Sequence, residues 1–273
     1  MEPAVLDTVL RRDRTIVIVA LATLTGLAWA YTLWLARHMS MPAAAMSRVP
    51  DGSVVSMLAP GFKSWTAIDF LYVFVMWAVM MVGMMTPSVS PTVLLYARVG
   101  REARAQGTPF AATGAFGGGY LLAWTFFSLI ATLSQWLLER AAILTPMMAT
   151  ASRELGSLVL IAAGLFQWTP LKQACLAYCQ SPLIFIERHG GFQPSASGSL
   201  VIGFRHGLYC VGCCWALMAL LFVGGVMNVL WIALLTILVL LEKMIPGGRV
   251  LARVVGVGLI LWGVSLALTS VAG

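Results

Sequence analysis

The stretch TAIDFLYVFVMWAVMMVGMM, residues 66–85, decides the fold, because its twenty residues carry a single charged side chain, Asp69. A helix rising about 1.5 Å per residue needs about 20 mostly uncharged residues to cross a hydrocarbon layer about 30 Å thick. Working outward, similar runs recur at about 15–36, 113–138, 155–175, 199–222, 226–241 and 250–269. The expectation is an all-α, polytopic transmembrane helix bundle of about seven spans, forming one domain over residues 1–273. Composition agrees: 60% of residues are hydrophobic and 10% are charged, and mean hydropathy is +0.91. A soluble domain carries about a quarter charged residues, so the lipid bilayer is the expected solvent.

Arg11, Arg12 and Arg14 precede the first run, where Ala28-Trp29-Ala30 imitates a signal cleavage site poorly. About 22 apolar residues is also long for a signal peptide, so an uncleaved first helix is expected. The stretch 37–64 reads as a loop holding His38, Met39, Met41, Met46 and Met57. Thr86-Pro87 is expected to end the second span, since proline breaks the helical hydrogen-bond ladder. Gly114 and Gly118 open the third at a spacing that lets helix backbones approach. Pro182 closes the fourth span at the latest, and Gly224-Gly225 suits a tight reversal before the sixth.

The net charge of +7, from 17 basic and 10 acidic side chains, is explained by topology, and no nucleic-acid partner is expected. With the amino terminus inside, roughly twelve basic residues fall on the cytoplasmic side against five opposite. That bias fits a bacterial inner (cytoplasmic) membrane protein with a cytoplasmic N-terminus and a periplasmic C-terminus.

Polar and sulfur-bearing groups inside spans are the functional candidates. In the fifth span His206, Cys210 and Cys214 stand four residues apart, on one helical stripe with Cys213 beside it. Cys175 and Cys179 stand one turn apart at the end of the fourth span, unlike the two-residue spacing of zinc ribbons. Met76, Met80, Met81, Met84 and Met85 fall mainly on two adjacent stripes of the second. Thiolate, thioether and imidazole donors together select soft metals, first Cu(I) and next zinc. Two thiolates around Cu(I) leave one negative charge, which Lys172 or Arg205 could offset. The bland alternatives are that each cysteine is a small core hydrophobe, that the methionines pack, that Lys172 and Arg205 snorkel, and that Glu242-Lys243 is a solvated helix end.

In order, Met76-Trp77, Met80-Met81-Val82-Gly83-Met84-Met85-Thr86-Pro87-Ser88, Lys172 through Cys175 to Cys179, His206-Gly207 through Cys210-Val211-Gly212-Cys213-Cys214 to Met218, and Glu242-Lys243 form a recognisable series. It resembles the bacterial family of predicted metal-binding integral membrane proteins, domain of unknown function 2182, over roughly residues 66–265. The resemblance implies a metal-binding, copper-chaperone-like protein without a settled activity. The leading expectation is a Cu(I)-binding membrane protein, more a carrier than an enzyme, that holds copper or passes it to a cuproprotein or a soluble copper carrier. Cys175, Cys179, His206, Cys210 and Cys214 would be ligands, Cys213 an alternate, and Met80, Met81, Met84 and Met85 a weaker, exchangeable route. A metal transporter, a membrane thiol-disulfide redox enzyme and a subunit whose sulfurs only pack remain open beside it.

Overall fold

The computed structural model describes residues 3–46, 65–107, 113–141 and 152–271. Its helices are α1 (Pro3–Met46), α2 (Ala67–Ala105), α3 (Thr113–Arg140), α4 (Arg153–Phe166), α5 (Pro170–Gln180), α6 (Pro182–Arg188), α7 (Ala196–Ala219), α8 (Leu221–Gly224), α9 (Val229–Met244) and α10 (Gly248–Val271). Among the described residues five runs are long and apolar enough to cross a membrane, namely Arg14–His38, Ala67–Ala103, Thr113–Arg140, Ala196–Gly224 and Gly248–Thr269. Joined across a 64° bend, α4 and α5 would make a sixth. Helix α9 has 16 residues, short of the about 20 that a perpendicular crossing takes. The protein is thus an all-α, multi-pass membrane bundle with five or six candidate spans. Its outward faces are apolar, as at Tyr72, Leu230 and Leu268, and suit contact with lipid.

Several local expectations change. Part of the 37–64 stretch is helical, since α1 continues to Met46 and includes His38; residues 47–64, with Met57, lie outside the described residues. Helix α2 does not stop at Thr86-Pro87 but carries Pro87 and Pro91 inside it. Pro87 cannot donate to the carbonyl four residues earlier, that of Gly83. The indole Nε1 of Trp29 on α1 donates to that oxygen at 3.2 Å instead, which explains why the helix survives in a medium without water.

The fourth run is two helices. Thr169 caps α5 by accepting from the Lys172 backbone N–H, and Pro170 follows at the first helical position, so the pair starts a new helix in a new direction. The expected span over 155–175 therefore breaks at residues 167–169, leaving Cys175, and Cys179 just beyond the expected end, on the second piece.

Glycine sets which helices touch most closely. Gly114 and Gly118, expected to do so, face open space. It is Gly119 of α3 that lies against the Leu200 backbone, while Gly203 and Gly207 of α7 lie against the backbones of Phe116 and Tyr120. A side chain at Gly119 or Gly203 would collide with main-chain atoms of the facing helix, and one at Gly207 with the Ala123 methyl group, so α3 and α7 are held closely together. Gly164 of α4 and Gly256 of α10 make a second such seam, each against the other's carbonyl. Between α2 and α3 the tie is polar: Trp77 Nε1 donates to Gln135 Oε1 at 2.8 Å inside the bundle.

Candidate metal centre

The bend at Thr169-Pro170 lays α5 against α7, and this contact brings the two cysteine groups together. Cys179 Sγ lies 3.9 Å from Cys213 Sγ, the two thiols coming from separate helices. Cys175 Sγ sits over Gly212, whose missing side chain makes the room. Gly212 thus admits a sulfur. All five cysteines are free thiols. Cys175, Cys210, Cys213 and Cys214 are buried, and Cys179 is half-buried. Cys175 reaches an open cleft of about 480 Å³ lined also by His189, Arg205, Leu208 and Tyr209.

The sulfurs do not all point into one space. Cys213 Sγ and Cys214 Sγ donate back along α7 to the Cys210 carbonyl, at 3.1 and 2.9 Å. Cys210 Sγ instead receives the Lys243 ammonium at 2.8 Å and lies 3.0 Å from the Tyr120 hydroxyl. His206 is buried among the rings of Phe116, Tyr120 and Phe185, and its Nδ1 has no hydrogen-bond partner. Among the described residues no three His, Cys, Asp or Glu side chains are gathered closely enough to enclose a metal ion. Two bonds of about 2.3 Å, the length of a zinc–thiolate bond, span at most about 4.6 Å, so the Cys179–Cys213 pair is within reach of a single bridging cation. The donors present, free thiols with a buried imidazole nitrogen lacking a partner, fit a soft metal in kind.

Met76, Met80, Met81, Met84 and Met85 are all buried in the same core cluster as the cysteines. One backbone link joins the two regions: Tyr120, which contacts Cys210, also donates to the Met85 carbonyl at 3.3 Å.

The charges are arranged otherwise than the sequence suggested. Lys172 is fully buried and pairs with Glu242 at 2.6 Å, so it does not snorkel. Glu242 and Lys243 are buried rather than solvated, and Gln180 Nε2 donates to the Glu242 carbonyl at 2.8 Å, tying α5 to the end of α9. Arg205 is exposed and lines the cleft beside Cys175, while the cation in contact with Cys210 Sγ is Lys243, which also donates to Ser88 Oγ at 3.2 Å. Lys243, Tyr120 and Ser88 were not among the candidate site residues. Lys243 was marked only as half of the Glu242-Lys243 pair, which closes a hydrophobic run before Pro246-Gly247-Gly248 and ends the family-like series, and nothing local marked Tyr120.

The fold and these residues define a class: a multi-pass α-helical membrane protein with thiols, thioethers and imidazole turned into its interior. Within it, the model of the PpoB2 family, described as copper chaperone, matches residues 74–266, from α2 through most of α10, and the chain belongs to that family. No curated protein and no solved structure matches the chain.

Proposed function

We propose that this protein holds Cu(I) between α5 and α7 in the bacterial inner membrane and hands it to a cuproprotein or a soluble copper carrier. The observation that carries the reading is the meeting of Cys179 and Cys213, thiols of separate helices 3.9 Å apart, in a chain of a copper-chaperone family. These two sulfurs would form the first pair of ligands. Cys175, at the open cleft, would be the point of entry or exit. Cys210, Cys214 and His206 would complete or replace ligands once their side chains turn from the contacts they make in the protein alone, and Met80, Met81, Met84 and Met85 would supply the weak thioether contacts that exchange requires. The cytoplasmic N-terminus and periplasmic C-terminus drawn from the basic residues, the seven-span count with α9 as a crossing, and the likeness to the metal-binding family of unknown function belong to the same proposal.

Purifying the protein from copper-supplemented membranes and measuring bound metal tests it. Wild type should retain copper, and a variant with all five cysteines changed to serine should retain none; equal copper in both would defeat the reading. Because thiols must lose protons to bind, copper retained against a fixed competitor should fall as pH is lowered.

The same distance favours a second reading, in which Cys179 and Cys213 form a disulfide by exchange with a partner's disulfide, which leaves as a dithiol, since two free thiols at 3.9 Å are close enough to pair after a small rotation. Mass spectrometry of trapped thiols separates the two: a Cys179–Cys213 bridge that forms and is reduced during turnover supports redox work. Transport, suggested by the single bent span, requires copper flux into proteoliposomes beyond binding.

A further inference from the structure

Apart from His206, the buried ionisable side chains among the described residues that carry a formal charge are Lys172, Glu242 and Lys243. Lys172 and Glu242 neutralise each other at 2.6 Å. Lys243 is left over. Its ammonium donates to Cys210 Sγ at 2.8 Å and to Ser88 Oγ at 3.2 Å, and no acidic side chain pairs with it among the described residues. A lysine in the last turn of a helix ordinarily carries its charge outward along its flexible stem. Here the next two residues, Met244 and Ile245, are exposed, yet Lys243 turns inward onto the sulfur.

A fixed positive charge at this place decides which cation two thiolates can hold. A monovalent cation between two thiolates leaves a complex of charge −1, which the ammonium brings to zero. A divalent cation makes the complex neutral and leaves the ammonium unbalanced in a medium of low dielectric, which is strongly unfavourable. We propose that Lys243 is a specificity-determining residue that makes the cysteine pocket select monovalent soft cations, Cu(I) and Ag(I), over divalent ones, Zn(II) and Cd(II). This rests on the reading of that pocket as a copper site and adds its charge rule. The positions also explain the Lys172–Glu242 pair: with Glu242 engaged by Lys172, the charge of its neighbour Lys243 is left for the thiols. At an effective dielectric of about 20, one unit charge about 6 Å away changes affinity by about 100-fold.

The test uses the full-length protein in detergent, titrated separately with Ag(I) and Cd(II) against competing chelators. Wild type should bind Ag(I) and take up Cd(II) poorly. Lys243→Met should raise Cd(II) affinity relative to Ag(I) by about 100-fold, and Lys243→Arg, which keeps the charge, should leave the ratio within about threefold. The double variant Lys172→Met with Glu242→Gln removes one charge of each sign and should leave the ratio unchanged. Should Lys243→Met fail to give monodisperse protein, Lys243→Gln, which retains a donor for Ser88, takes its place with the same expectation. An unchanged ratio in the folded neutral variant, or Cd(II) uptake by wild type as strong as that of Ag(I), overturns the inference while leaving the copper site standing. Binding of neither cation by wild type overturns the copper-site reading and this inference with it.

Discussion

Helix α7 meets α3 through Gly203 and Gly207 and meets α5 through Gly212 and Cys213, so one helix presents two quite different contacts. Against α3 nothing larger than the methyl group of Ala123 lies between the backbones, and the contact has one geometry or none. Against α5 the space is filled by thiols, and just beyond lie a lysine and a buried ion pair. Sulfurs can rotate, exchange partners and take a ligand; a glycine seam cannot. The comparison teaches that the α3–α7 seam fixes the platform and the α5–α7–α9 corner carries the chemistry.

The hardest blow to that picture comes from the seam. Gly203→Leu would drive a side chain into the Phe116 backbone and should cost about 4–5 kcal/mol or more, leaving no monodisperse protein on size-exclusion in detergent. A well-folded variant would show that the seam can open.

Next comes Lys172→Met, which strands Glu242 as a buried unpaired charge. It should cost about 3–5 kcal/mol, read as a lowered thermal unfolding midpoint. Adding Glu242→Gln should restore most of that loss, and if it does not, Lys172 stabilises the corner by packing rather than by pairing.

Trp29→Phe removes the donor for the carbonyl that Pro87 leaves unpaired, and about 1 kcal/mol should be lost, with copper binding unchanged. The smallest stability effect is expected from Cys179→Ser, about 0.5 kcal/mol by the same unfolding measurement, because the site is only half-buried. Bound copper should nevertheless drop sharply in that variant. A Cys179→Ser protein that loses stability but keeps its copper would exchange the roles assigned to the two contacts.

Much of this was legible from local sequence. Apolar length showed where most spans run, but Thr169-Pro170, a cap followed by a first-turn proline, was passed over because the hydropathy of 155–175 runs on through it. Hydropathy sums over a window and has no term for direction. Glycine spacing was misleading for the same reason: Gly114 and Gly118 share a face with each other, but whether another helix lies on that face is not a property of the segment.

By itself the sequence determined that this is a multi-pass helical membrane protein with soft donors in its interior, because apolar length and residue chemistry are carried by each segment alone. Only the tertiary structure decided that Cys179 meets Cys213, that Lys243 is the cation in contact with Cys210, and that Trp29 rescues the helix at Pro87. Those pairings depend on the rotation and crossing of helices distant in sequence, and a rotation of one residue, about 100°, is enough to turn a ligand into a lipid-facing side chain.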